Sequence, residues 1–116
     1  MTKIAVVVLS GADNPARAGA GLHVAKRMYD ARVENGVDAV EVFLFTQGVR
    51  LLAERDGELR GLIDELIRDG ILVGGCANQL HDWGLRDAAA EMGVQAEFAR
   101  DAFSRYAREG YTVMTF

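Results

Sequence analysis

The residues with the clearest capacity for chemistry surround Cys76, the only cysteine, where the apolar run Gly70-Ile71-Leu72-Val73-Gly74-Gly75 gives way to Asn78-Gln79-Leu80-His81-Asp82. That polar stretch reads as the opening of a helix. A thiol between a strand end and a helix N-terminus meets unpaired backbone N–H groups, which favour thiolate over thiol. Gly74 and Gly75 carry no Cβ, so the chain can turn sharply there and a ligand can come close to the sulfur. The expected chemistry is that of a nucleophilic sulfur lying open at the rim of a sheet, supported by Gly75, Ala77, Asn78 and His81. His81 has two readings, a hydrogen-bond donor to the thiolate or a solvated surface residue. Asp82 works against activation, because its charge disfavours a neighbouring thiolate unless it points away or engages a helix N–H. Free cysteine is often only a small buried hydrophobe. Placement after a strand, in a loop of the kind that carries sites, favours the reactive reading.

Other site types fail on residue type. The loop after the first apolar run, Ser10-Gly11-Ala12-Asp13-Asn14-Pro15, lacks the lysine of a phosphate-cradling GxxxxGK[ST] motif. Gly19 and Gly21 have no third glycine to complete a dinucleotide fingerprint and read as helix-packing positions. A receiver domain needs acids where this chain has Ser10 and Cys76. A cysteine phosphatase needs an arginine six positions after its nucleophile, and Asp82 stands there. Cys76, His81 and Asp82 fall one ligand short of a structural metal site and lack its spacing, so no metal is expected. His23, in mid-helix, reads as a packing or surface residue, and Trp83 as a core or subunit-interface residue.

The elements that must position these residues alternate in type. Lys3 to Leu9 is an apolar run without polar alternation, the pattern of a central parallel strand covered on both faces. Asn14 and Pro15 cap and start a helix reaching about Glu34, with Asn35-Gly36 as its stop. Val40 to Phe45 is a second strand, and Thr46-Gln47-Gly48-Val49 turns out of it toward the breaker Asp56-Gly57. Leu59, Leu62, Ile63, Leu66 and Ile67 follow the helical template, closed by Gly70. A third strand at Ile71 to Gly74, a helix from Gln79 to Met92 and a weak strand at Val94 to Phe98 follow. A helix at Asp101 to Arg108 and a last strand at Tyr111 to Thr115 complete the chain.

This pattern predicts an α/β protein, a three-layer α/β/α sandwich on a mainly parallel five-stranded sheet, with residues 1–116 as one domain. Open sheets of this kind bind ligands beyond the carboxyl ends of their strands. A pocket of Ser10, Gly11, Asn14, Gln47 and Gly48 is therefore expected to share a face with Cys76, while strand order is left open by periodicity. A net charge of −4 without a basic stripe argues against nucleic acid as a partner. The first apolar run is too short for a membrane span and no cleavage site follows it, so a soluble, cytoplasmic protein without membrane contact is expected. A solitary cysteine agrees with a reducing compartment.

Three segments carry a family resemblance: Lys3-Ile4-Ala5-Val6-Val7-Val8-Leu9-Ser10-Gly11, Val40-Glu41-Val42-Phe43-Leu44-Phe45-Thr46-Gln47-Gly48-Val49 and Gly70-Ile71-Leu72-Val73-Gly74-Gly75-Cys76. Together they resemble the DsrE/DsrF-like proteins, including the TusD-like and YchN-like branches. The most specific elements are the turn ending at Val49 and the strand-terminal cysteine followed eight residues later by Gly84-Leu85. The resemblance implies a sandwich around a parallel sheet and assembly as a homotrimer or homohexamer or with paralogous subunits. It also implies sulfur carried as a persulfide on Cys76, exchanged with donor and acceptor proteins and without a cofactor. The YchN-like pattern often has a second cysteine three residues on and an arginine before the glycine, where this chain has Gln79 and Trp83. That removes CxxC redox chemistry and leaves one sulfur-carrying position. The competing expectation is a non-catalytic oligomeric protein, a small-ligand binder or accessory subunit in which the thiol is incidental.

Overall fold

The structure is a computed structural model describing residues 1–116. The unbroken apolar run at the start forms β1 (Lys3–Val8), with Ile4 to Val8 all buried. Asn14 Oδ1 accepts the Arg17 N–H at 3.2 Å and Pro15 takes the first helical position, so α1 (Pro15–Asp30) starts where its cap residues dictate. It stops earlier than expected. The helix breaks at Ala31 and a separate turn, α2 (Arg32–Asn35), runs to Gly36, whose φ of 68° ends it.

After β2 (Ala39–Leu44), the exit that reads as a plain turn is helical, α3 (Gln47–Arg50) continuing into a 3-10 turn at Leu51–Ala53. Then come α4 (Glu58–Arg68), β3 (Leu72–Cys76), α5 (Ala77–Asp82), α6 (Arg86–Met92), β4 (Gln95–Glu97), α7 (Ala99–Glu109) and β5 (Tyr111–Thr115). The single helix expected from Gln79 to Met92 is two, separated where Gly84 adopts a φ of 66°. No helix is long and apolar enough to cross a membrane.

All strand pairs are parallel, in the order β4-β3-β2-β1-β5. Steps from β1 to β4 move across the sheet in one direction, so right-handed crossovers place α1, α4, α5 and α6 on one face. The return from β4 to β5 puts α7 alone on the other. Side-chain contacts agree, since Arg105 and Phe103 of α7 meet Glu41 and Phe43, whereas Leu80 of α5 lies against Gly75.

The α7 face is built on aromatics and one charge cluster. Phe103 packs edge-on against Phe43 and Phe45, with both ring centroids 5.7 Å away. Tyr106 lies between Phe103 at 6.2 Å and Tyr111 at 5.2 Å, and its buried hydroxyl has no well-formed hydrogen bond, with the Glu41 carboxylate beside it. Burial, and then the Glu41 charge, holds the Tyr106 phenol well above its ordinary range. Burial, and then hydrogen bonding to Glu41, pushes Tyr111 up to about 12.

Two close backbone approaches hold the strand ends together. A Cβ on Gly48 would collide with the Val8 carbonyl oxygen, and one on Gly11 with that of Gln47. Gly61, on α4, has open space around it. Gly48→Ala should therefore destabilise by about 2 kcal/mol or more through overpacking. Gly61→Ala should stabilise by about 0.5–1 kcal/mol through helix propensity and a less free unfolded chain. Urea midpoints that move in the same direction for both would contradict this packing.

The phenols give a second expectation. Between the ordinary phenol range near pH 10 and the Tyr111 value of about 12, the unfolded chain releases protons that the fold retains. Stability must fall as pH rises through that window. An ultraviolet titration should show Tyr111 ionising near pH 12 and Tyr106 later. Phenolate signal from more than one tyrosine well below pH 12 in the folded protein would refute it.

Candidate functional site

The strand order brings the ends of β1, β2 and β3 side by side, so the loops at Ser10 to Asn14 and Thr46 to Gly48 neighbour each other and the turn after Cys76. Thr46 is the hub. Its N–H donates to Gln79 Oε1 at 2.7 Å, and its hydroxyl lies 2.8 Å from the Leu9 carbonyl oxygen and donates to it. It is also the only non-glycine residue with positive φ, at φ 53° and ψ −123°. That conformation is strained for a β-branched residue, at a cost of roughly 1–3 kcal/mol. Contacts from two other segments hold it there. The residue read as a lost cysteine, Gln79, thus has a structural task at the rim.

The expected pocket residues meet but do not enclose a cavity of their own. Ser10, Gly11 and Gly48 are buried in the packing between loops, Asn14 is committed to capping α1, and Gln47 is exposed. A groove of about 550 Å³ nearby is lined instead by Ala12, Pro15, Gly19, His23, Glu58 and Leu59, among others. At the start of α5, a smaller pocket of about 270 Å³ is lined by Ala77, Asn78, His81, Arg86, Ala96 and Phe98, without Cys76. His81 stands in the last turn of α5 rather than the first, because that helix opens at Ala77, and both His81 and Asp82 are exposed. Trp83 is half-buried beneath the Arg50 guanidinium, 3.9 Å from its ring centroid. No cluster of three or more His, Cys, Asp or Glu side chains with metal-holding geometry forms.

The expectation of an open thiol is not met. Cys76 is only 3% exposed and belongs to the apolar core. The physical reason is that β3 runs to Cys76 instead of ending at Gly74, so the cysteine is paired in the ladder with Glu97 rather than placed in a loop. Alternation then decides where it points. Phe43 is level with Gly74, so Gly74 and Cys76 share a face with Phe43 and Glu41, the face that α7 covers. Cys76 occupies the N-cap position of α5, yet its sulfur makes no capping hydrogen bond to the N–H groups there. The expected amide cradle for a thiolate is absent from this arrangement.

A charge cluster that no local motif announces stands next to the cysteine. Arg105 donates to both oxygens of Glu41, at 2.7 and 3.2 Å, and to both of Glu97, at 3.0 and 3.1 Å. These bonds hold the Arg105 guanidinium well above its ordinary range, Glu41 contributing first and Glu97 second. The Glu41 side chain is only 8% exposed, so this pairing is what makes its charge tolerable inside the sheet. One signal in the sequence did point here: a lone acid inside the apolar strand Ala39–Leu44 needs a cation opposite it.

Neither a protein-family model nor a curated protein sequence matches the chain. Solved structures do. A conserved protein of unknown function from Bacteroides thetaiotaomicron superposes with a TM-score of 0.75 at 16% identity, covering 97% of this chain and 94% of that one. A protein of unknown function from Methanobacterium thermoautotrophicum gives 0.70 at 20% identity with full coverage of both chains. The ychN protein from E. coli gives 0.73 at 17% identity, again with full coverage of both. Likeness at these identities establishes the fold, and the fold is the one that the ychN protein has.

Proposed function

We propose that this chain is a small sulfur-relay protein of the DsrE/YchN-like kind, carrying sulfane sulfur as a persulfide on Cys76. The observation that supports this most directly is positional: the only thiol closes β3 at the carboxyl rim of a ychN-like sheet. In the reaction, the Cys76 thiolate attacks the outer sulfur of a donor persulfide. A new S–S bond forms, the donor's S–S bond breaks, and the donor leaves as a thiolate that takes a proton from water. An acceptor thiolate repeats the exchange on the Cys76 persulfide. The sequence is redox-neutral and needs no cofactor. Its partners are donor and acceptor proteins, and a homotrimer or homohexamer, or an assembly with paralogous subunits, is the form in which the carrier operates.

Burial of the sulfur sets the terms, because a thiol only 3% exposed can exchange only after local opening. It also favours the second reading, a non-catalytic small-ligand-binding or accessory subunit in which Cys76 is a packing residue. Intact-mass measurement after incubation with a persulfide donor separates the two. The carrier gains one sulfur atom, reversed by an acceptor thiol and abolished in Cys76→Ser. A folded wild-type protein that gains no sulfur over hours, or a Cys76→Ser variant that gains as much as wild type, rules the carrier out. Tight co-purification with a paralogue, without sulfur gain, identifies the accessory subunit.

A further inference from the structure

We propose that the Arg105 bridge is a latch that keeps Cys76 closed, and that access to the thiol is governed by the contacts of Arg105 with Glu97 and Glu41. The inference concerns access alone and stands whether or not the thiol carries sulfur. Cys76 is paired in register with Glu97, the last residue of β4. That strand is an edge of three residues, Gln95 and Ala96 are exposed, and only β3 pairs with it. Such an element has little to hold it. Its side-chain anchor on this face is Glu97, gripped by Arg105 through both carboxylate oxygens at 3.0 and 3.1 Å. Arg105 is in turn pinned to the sheet by buried Glu41 of β2, two strands from β4.

The bridge therefore ties β2, α7 and β4 together across β3, and β3 ends in the thiol. Above this plane only Phe98 separates Glu97 from the start of α7, and Phe103 closes on Phe43 and Phe45. Releasing Glu97 frees the end of β4 and the first turn of α7 together, while the core beneath α1 and α4 on the opposite face keeps its packing. The arrangement predicts local opening at the cysteine in place of general loosening. The other ionisable groups facing the bridge are the phenols of Tyr106 and Tyr111, with Lys3 above the Tyr111 ring at 5.6 Å.

Alkylation of Cys76 by iodoacetamide in the native full chain tests the latch, read as the plateau rate reached at high pH where the thiol is fully ionised. Glu97→Gln and Arg105→Met should each raise that plateau about tenfold, the effect of losing a charge-assisted hydrogen-bond pair. Leu22→Ala, a core variant beneath α1, should leave it unchanged at comparable loss of urea stability. Arg105→Met also separates opening from charge. It leaves the Glu97 carboxylate unpaired beside the sulfur, so a purely electrostatic effect slows alkylation near neutrality, whereas opening speeds it. Arg105→Lys, keeping one charge without the two-pronged geometry, should fall between wild type and Arg105→Met. If Arg105→Met does not fold, Glu97→Gln decides alone, since it retains the Arg105–Glu41 pair. A plateau unchanged in Glu97→Gln, or raised equally in Leu22→Ala, overturns the latch. Neither result bears on sulfur loading, which the mass measurement reads separately.

Discussion

One guanidinium shared by two carboxylates is the interaction on which the α7 side of this molecule depends. Glu41 sits in a central strand with apolar neighbours, where an unpaired carboxylate would be costly enough to favour another fold or another protonation state. Arg105 answers it with two hydrogen bonds, and two more of its N–H donors reach Glu97. Two acids and one base leave the cluster with a net negative charge. Burial first, and then the Glu41 carboxylate beside them, holds the nearby phenols in the protonated form. Removing the arginine would leave a buried acid unmatched and is far more disruptive than replacing the whole triad with apolar residues.

The two faces of the sheet are covered unequally, and the unusual residues lie where coverage changes. One face has α1, α4, α5 and α6, packed through ordinary apolar ridges. The other has α7 alone, so Leu72 and Val113 stay 40% and 43% exposed on either side of it. At the rim between the faces, Thr46 adopts its strained conformation and the Gly48 and Gly11 backbones press against carbonyl oxygens. A strained residue fixed by Gln79 and Leu9 gives the rim a defined shape despite its short loops.

Local chemistry was legible in the sequence and cross-sheet chemistry was not. Asn14 and Pro15 fixed a helix start, the spacing from Leu59 to Ile67 fixed α4, and the run from Ile4 marked a central strand, because each signal acts within a few residues. The split at Gly84 escaped periodicity because Leu80, Trp83 and Met92 keep a helical spacing across a glycine that leaves the helix. The exposure of Cys76 depended on where β3 ends and on which helix covers its face, and both are settled by partners distant in the chain. Glu41 and Arg105 are 64 residues apart. Only the isolated acid in an apolar strand hinted that something must cross to meet it. The candidate site was thus located by its cysteine, while its closure was invisible.

A closed thiol changes what the fold has to supply for sulfur exchange. Each tenfold reduction in the open population corresponds to about 1.4 kcal/mol and slows exchange by the same factor, since only the open form meets a donor. Against that stands protection: a sulfur inside the core is shielded from the oxidants that convert exposed thiolates to sulfenic acid and beyond. A carrier visited by dedicated partners can accept the slow basal rate if partner binding supplies the opening free energy, which requires the partner to favour the open form.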